Sequence, residues 1–376
     1  MEADFPGVKH PSPLLKVAIV GCGKIADGHI EQIRATGMAD PVAVCDREPL
    51  MARQLAMRLR VPRWYTDLAR MLEMERPDVV HIATPPDSHL DLAARCLQSG
   101  CHIFMEKPFA LDAEQTRKIL TLARTSGRRV SVNYLYNFET PYLELMQRMQ
   151  AGALGRIVHI DTAYGYNLAG DYGMAVLADP EHWVHRLPGR LFHNVLDHVL
   201  AKSAPFLPDT DALRVQSQTL RLRPASGNAA LDAMADELRF MLRAGDVTVS
   251  GLISAHGRPV QHTMTVYGTK ASLALDIAAR TCVPIAAQTL PTSFGRLLPA
   301  WSMARQYRRN GWSNLRRFWR YEFHFFQGMR VLLRAFYGSI LQRNDDPISA
   351  EVIQRTANAI DAVVRSIHDA PGVGLP

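Results

Sequence analysis

The sequence predicts an α/β protein: a doubly wound parallel sheet at the N-terminus, followed by an α+β domain. Three observations predict it. Short apolar runs recur over residues 17–132 and alternate with stretches of helical period, the pattern of βαβ units in a parallel sheet. The first of these runs opens directly into a glycine turn. Beyond residue 156 the pattern changes to alternating strands separated by turn signals.

Val17-Ala18-Ile19-Val20 reads as a buried parallel strand. Gly21-Cys22-Gly23-Lys24-Ile25-Ala26 then forms a G-x-G-x-x-A turn, and Ile25, His29, Ile33 and Thr36 follow at helical spacing up to Gly37. Gly21 permits the tight turn, Gly23 removes a Cβ from the path of a pyrophosphate, and Ala26 keeps the helix close to the strand. The free N–H groups of Lys24 and Ile25 open a helix N-terminus suited to phosphate. A second strand, Val42–Cys45, ends on Asp46, about 20 residues downstream, where a carboxylate accepts from an adenosine ribose. Strand, turn, helix, strand and acid in that order specify a dinucleotide site. Asp46 favours NAD, and Arg47 beside it leaves NADP open as the alternative.

The remaining elements of this half follow in turn. Pro49–Arg60 and Asp67–Glu75 read as helices around a short strand at Trp64-Tyr65. A strand at 78–82 runs into Thr84-Pro85-Pro86, and Ser88 reads as the N-cap of a helix ending near Ser99, with His89 at its start. Cys101–Met105 is a strand ending in Glu106-Lys107-Pro108, Asp112 caps a helix to about Ser126, and Arg129–Val132 is a sixth strand. Ligands of such sheets lie beyond the carboxyl ends of the strands, which is where Thr84, Pro85, His89, Glu106 and Lys107 fall.

At this point the sequence resembles a known family. The set GCGKIA, the strand ending in Asp46, HIATPPDSH and above all EKPFA at 106–110 is similar to the Gfo/Idh/MocA oxidoreductases, the glucose-fructose oxidoreductase and inositol dehydrogenase group. The resemblance implies an N-terminal Rossmann domain and a C-terminal α+β domain with an open, mainly antiparallel sheet. It also implies a cis Lys107–Pro108 bond and hydride transfer between NAD(P) and a sugar, nucleotide-sugar or cyclitol carbon. It divides the chain into a tail at 1–14, a cofactor domain at 15–135, a substrate and oligomerisation domain at 136–346, and a C-terminal helix within 347–376 that returns over the core. Asn133–Phe138 resembles the interdomain linker, where Tyr136 and Asn137 stand in place of a basic pair.

Lys107 is the expected catalytic lysine, positioned to hold a reacting oxygen. Its partners lie in Leu187–His198. The family pattern is a glycine pair, an Asp or Asn, and a His four residues later on one helix face. One register makes Asn194 and His198 the dyad; the other makes it His193 and Asp197. The first is preferred because it places a histidine where a proton must move near neutral pH. Tyr136, Tyr166, Trp183 and His185 are expected to line the substrate mouth, with Tyr164 and Asn167 as sugar contacts or core packing. His182 and His185 lack a carboxylate or cysteine to complete a metal set, so no metal is expected.

The second half reads as strands at 156–166, 214–222, 236–242, 247–253, 262–267 and 271–276, with hairpin signals at Gly245-Asp246 and Gly268-Thr269-Lys270. Pro347–His368 is an amphipathic helix. The five cysteines show no ligand-like spacing and read as reduced core thiols. The N-terminus has no apolar leader and no apolar run is long enough to span a bilayer, so a cytoplasmic protein is expected.

The chain of 376 residues carries a net charge of +7. That charge is concentrated: between Arg296 and Arg343 stand ten arginines and a single acid, Glu322, interleaved with Trp301, Tyr307, Trp312, Phe318 and Trp319. The segment 295–343 reads as two or three helices. Three roles fit it: peripheral contact with an anionic membrane, a phosphate clamp for a nucleotide- or lipid-linked sugar, or a helical subdomain or homo-oligomer contact. No nucleic-acid recognition module is visible. The reading that follows is an NAD(P)-dependent oxidoreductase working as a homo-oligomer on a small sugar-class substrate. The rival readings are an NAD-dependent glycoside hydrolase and a non-catalytic NAD-binding scaffold.

Overall fold

Strand β1 (Leu15–Val20) is central because nothing in its core stretch tolerates water: Val17, Ala18 and Ile19 are fully buried. In the computed structural model, which describes residues 14–168, 170–179, 181–209, 212–223, 234–285 and 292–369, it pairs in parallel with β2 (Ala39–Cys45) and β4 (Val79–Ile82). The tail 1–13 and residues 370–376 lie outside the described residues. With β3 (Arg63–Tyr65), β5 (His102–Met105) and β6 (Val130–Val132), the sheet runs β3-β2-β1-β4-β5-β6, the Rossmann order, and reverses direction of growth between β1 and β4. The crossovers are α1 (Lys24–Thr36), α2 (Pro49–Arg58), α3 (Leu68–Glu75), α4 (His89–Gln98) and α5 (Ala113–Thr125).

The local signals that end and begin these helices act as the chemistry of caps requires. Gly37 closes α1 at φ 68°, and the carboxylates of Asp67 and Asp112 accept the Arg70 and Gln115 N–H groups at 2.7 Å. Ser88 does not cap α4 as expected. A single 3-10 turn, Pro86–Ser88, precedes that helix, and the Ser88 hydroxyl donates back to the Pro85 carbonyl. All five cysteines are buried and free.

After α6 (Thr140–Gln150) the chain builds a seven-stranded sheet from β7 (Ile157–Gly165), β8 (Leu213–Leu220), β9 (Glu237–Ala244), β10 (Val247–Ser254), β11 (His262–Gly268), β12 (Ser272–Asp276) and β13 (Thr281–Ile285). Its order is β13-β12-β11-β7-β10-β9-β8, antiparallel except for the β7–β10 pair. Strand β13 was not anticipated. It holds Pro284, which an edge strand accommodates because one row of N–H groups there has no ladder to complete. A short helix, α7 (Asp171–Ala178), was also not anticipated.

One face of this sheet is covered by α8 (Arg190–Ser203), whose Phe192, Val195, Leu196, Val199 and Leu200 pack against Leu238, Val249 and Met264. The other face carries Arg214, Gln216, Arg239 and Arg243, all exposed. The sheet is open, as expected.

Three helices complete the chain: α9 (Thr292–Trp319), α10 (Gln327–Gln342) and α11 (Ala350–Asp369). The 295–343 segment, expected as one part of a domain ending at 346, divides between two environments. In α10, Met329, Leu332, Leu333, Phe336 and Tyr337 are fully buried in the core of the six-stranded sheet. By contrast, α9 keeps Trp301, Trp312 and Trp319 in solvent. The period of α10 supplied a stripe wide enough to bury, and packing decided which domain took it. Helix α11 bridges the two cores: Asp361 accepts the Ala113 N–H at 2.9 Å, while Ile360 and Val363 join the core beneath the second sheet.

This division is measurable. Leu333→Ala is expected to cost about 2–5 kcal/mol in urea unfolding, as cavity-forming core changes do. Trp312→Ala is expected to stay within about 0.5 kcal/mol of wild type.

Candidate active site

The glycine turn meets the steric demands placed on it. Gly21 has φ 94°, and a Cβ there would stand 2.8 Å from the Ala83 carbonyl at the end of β4. A Cβ on Gly23 would meet nothing within 4 Å, so the turn opens onto free space. Gly23 is the N-cap of α1 and no side chain caps that helix, which leaves the first-turn N–H groups, Lys24 and Ile25 among them, available to an anion. Asp46 is half-buried at the end of β2. Its Oδ2 accepts the Cys22 N–H at 2.7 Å and its Oδ1 the Glu48 N–H at 3.0 Å, and a carboxylate oxygen so engaged keeps a second lone pair. Arg47 is exposed beside it. An uncapped helix end, a missing Cβ and an oriented carboxylate fit a dinucleotide. Thr84 and Pro85 lie half-buried on the adjacent strand end.

Two residues expected at the cofactor are elsewhere. His89 is fully buried, with Nδ1 3.1 Å from the Phe109 carbonyl and Nε2 2.9 Å from that of Thr84. It ties the β4 loop to the Glu106-Lys107-Pro108 loop from behind. Glu106 also points inward. Its Oε1 accepts from His29 Nε2 at 2.8 Å and Asn133 Nδ2 at 2.6 Å, and its Oε2 accepts the Lys107 N–H at 3.1 Å. Burial raises its pKa, but these donors and the Lys107 charge outweigh it, and the net shift is downward. Both residues brace the loop; their charges and lone pairs are already used.

Lys107 follows this brace across a cis peptide bond to Pro108. Its Nζ donates to the Asn194 carbonyl at 3.0 Å and to Asn194 Oδ1 at 3.1 Å. An ammonium has three donors, so one remains for a ligand. Burial lowers the Lys107 pKa, opposed by the carboxylates of Asp197 and Glu106. Asn194 is buried on α8, and His198, one turn on, is half-buried. Burial together with the charges of Lys107 and Lys202 and the nearby His262 holds the His198 imidazole well below its ordinary pKa, so it is neutral and able to accept a proton.

The other register places its residues differently. His193 sits against Pro108, Ala110, Asp112 and Thr116, beneath the loop, and burial pulls its pKa down to about 4. Asp197 lines the same small cavity and lies near Lys107 and Tyr134; burial pushes its pKa up to about 7 against both of them. Of the two registers, Asn194 with His198 is the one whose asparagine the structure brings onto Lys107.

Around His198 the structure gathers a cluster that sequence reading found only in part. Tyr136 and Tyr164 pack on His198 with ring centroids at 5.1 and 4.6 Å. His262 meets Tyr136 edge-on at 4.2 Å. Lys202, fully buried, donates to the His198 carbonyl and, at 2.8 Å, to His262 Nε2. Lys202 and His262 were missed. Lys202 stands four residues after His198 on an apolar helix, a spacing that could have flagged it; His262 meets it only through the pairing of β11 with β7. Trp183 and His185 belong to another place, and Tyr166 touches both that place and the core beneath Tyr136 and Tyr164. Tyr166 and Trp183 pack around Val176, Val184 and Leu191, the Tyr166 hydroxyl donates to Asp236 O at 3.2 Å, and His185 Nε2–H donates to Val176 O at 2.8 Å. Among the described residues no cluster of three His, Cys, Asp or Glu side chains could hold a metal ion.

Residues 15–134 match the model of an oxidoreductase family with an NAD-binding Rossmann fold. The matching model is that of the Gfo/Idh/MocA oxidoreductases, and the match is confined to these N-terminal residues. The chain is 31% identical over 168 residues to a D-glucoside 3-dehydrogenase of Escherichia coli K12, covering 44% of this chain and 48% of that one. It is 27% identical over 147 residues to the NAD-dependent scyllo-inositol 2-dehydrogenase of Bacillus subtilis 168, covering 39% and 43%. The match thus spans less than half the length of either relative. Over nearly the whole chain the fold is that of the WlbA dehydrogenase of Bordetella pertussis, solved with NADH and UDP-GlcNAcA: TM-score 0.75 at 17% identity, covering 96% of this chain and 98% of that one. A levoglucosan dehydrogenase solved with NADH and levoglucosan has TM-score 0.73 at 19% identity, covering 94% and 97%.

Two outcomes test this site's construction. Glu106→Leu strands three buried donors and is expected to cost about 3 kcal/mol or more by chemical denaturation. Lys202 is lowered by burial from 10.5 to about 7. Between those pH values the unfolded chain holds a proton that the folded chain gives up, so burying Lys202 costs more stability as the pH falls through that window. The Tm of Lys202→Met relative to wild type is therefore expected to become more positive from pH 10 to pH 7.

Proposed function

We propose that the protein is an NAD-dependent oxidoreductase that interconverts a secondary alcohol and a ketone on a sugar, nucleotide sugar or cyclitol. One observation carries the reading: the lysine of Glu106-Lys107-Pro108, at the end of a Rossmann strand, is held on Asn194 by two hydrogen bonds, with the neutral His198 one turn further along the same helix. The names of the four relatives cited above, which are for sugar-class or cyclitol dehydrogenases or complexes with such ligands, support the substrate class.

In the oxidative direction the roles divide as follows. The glycine turn, the α1 N-terminus and Asp46 hold the dinucleotide. The bound nicotinamide supplies the hydride acceptor. Lys107 donates its remaining N–H to the substrate oxygen and stabilises negative charge developing there. His198, held neutral by burial, has a free lone pair and is the group placed to take the hydroxyl proton. Asn194 orients Lys107. Tyr136 and Tyr164 offer flat apolar faces and hydroxyls to a sugar ring beside His198. A cytoplasmic location is part of the proposal. Its further partners in this reading are copies of itself, as a homo-oligomer, and a membrane surface met peripherally.

The test is nicotinamide fluorescence with wild type and Lys107→Ala, followed by turnover on a sugar, nucleotide-sugar and cyclitol panel. Both proteins are expected to bind NADH. Turnover on the active substrate should fall by about 10²-fold or more in the variant, the scale of a lost oxyanion donor. Undiminished turnover by Lys107→Ala would exclude the mechanism, and failure of wild type to bind NADH would exclude the class.

A further inference from the structure

Helix α9 is mounted with its apolar side outward. Its inner face is polar: Asn310 Nδ2 donates to the Cys282 carbonyl at 3.3 Å, Asn314 Nδ2 to the Ala279 carbonyl at 3.0 Å, and the Arg317 guanidinium to the Thr140 hydroxyl. These bonds fasten the helix to β13, to the turn before it and to the start of α6. The opposite face carries Trp301, Trp312 and Trp319, exposed by 72%, 65% and 73%. Their spacings of eleven and seven residues are close to three and two turns, so the three indoles fall on one line. Leu298 and Leu315 are exposed on the same side. Arg305, Arg308, Arg309 and Arg316 are exposed alongside them, and no acid occurs between 298 and 321.

A helix seated by the hydrophobic effect would turn this face to the core. An exposed apolar row this long marks a binding surface, and its chemistry selects the occupant. A second copy of the chain is disfavoured, because a two-fold contact would set the same arginines against one another with no carboxylate between them. A nucleic-acid duplex offers phosphates but no apolar layer for three aligned tryptophans. An anionic bilayer offers both, at the depth where indoles partition and within reach of arginines on lipid phosphates.

We propose that α9 is an interfacial helix that docks the protein on an anionic lipid surface. It lies parallel to the membrane with Trp301, Trp312 and Trp319 at the boundary between headgroups and acyl chains. At 28 residues it runs about 42 Å along the surface. No helix among the described residues is long and apolar enough to cross a membrane. The proposal names the site and lipid chemistry of the peripheral contact, and it stands apart from the sugar reading.

The test is co-sedimentation of the full chain with phosphatidylcholine vesicles, alone or containing about a third phosphatidylglycerol. Binding is expected only to the anionic vesicles, with a blue shift of tryptophan emission and at least a tenfold loss of affinity between about 0.1 and about 0.5 M salt. The triple variant Trp301→Ser, Trp312→Ser, Trp319→Ser and the double variant Arg308→Glu, Arg309→Glu should each lose about tenfold or more in vesicle affinity while binding NADH like wild type. NADH binding reports the fold and the cofactor site, so its loss would count against the oxidoreductase reading and not against this one. Equal binding to both vesicle types, binding to neither, or variants that bind like wild type would each overturn the proposal. So would a dimer that the tryptophan changes dissolve, or an oligonucleotide that displaces the vesicles.

Discussion

A single buried carboxylate sets the geometry on which the candidate site depends. Glu106 is surrounded by donors from three directions: His29 on α1, Asn133 after β6, and the backbone of Lys107. A charge removed from water is tolerable only when its lone pairs are filled, so these elements are held where the carboxylate needs them. The chain of contacts continues outward. His29 Nδ1 lies 2.8 Å from His81 Nδ1 on β4, and His81 Nε2 lies 2.8 Å from the Tyr337 hydroxyl on α10. A late helix of the chain is thereby bound to the strand end that carries the lysine. Phe104 stacks on His81 and covers the polar line with an aromatic wall.

The second sheet supplies what this loop lacks. Helix α8 lies between the sheet and the loop, presenting Asn194 to Lys107 and His198 to the cluster of Tyr136, Tyr164, His262 and Lys202. Two lysines, Lys202 buried and Lys107 half-buried, lie within this one region, and the titratable groups near them move accordingly. Burial and the neighbouring cations keep His198 and His262 neutral, while burial keeps Asp197 near neutrality despite Lys107. The site is thus assembled from groups whose charges are held off their ordinary values by a common cause, removal from water.

Local signals were read well where the backbone itself needs a residue type. Gly21 and Gly37 occupy positive φ, Asp112 caps its helix, and the apolar runs of β1, β4 and β5 are buried. Reading failed where a side chain had two competing partners. Ser88 bonds a carbonyl and not the helix it precedes, and His89 and Glu106 brace loops from within while their sequence positions suggest the crevice. Strand β13 escaped notice because an edge strand with a proline carries little of the strand pattern.

The sequence by itself determined the Rossmann half, its glycine turn with Asp46, the lysine at a strand end, and a pair of four-residue spacings on one helix. These are properties of near neighbours, and period and backbone sterics act over a few residues. Only the tertiary structure set Asn194 on Lys107 and His193 beneath its loop, because the two are adjacent in sequence and differ by the direction in which α8 faces that loop. It also decided that Lys202 meets His262 across 60 residues, and that Tyr337 meets His81 across 256. The division of the arginine-rich segment was settled the same way. Helices α9 and α10 both mix apolar and basic residues, and which of them found a complementary surface to bury against is a property of the assembled sheets.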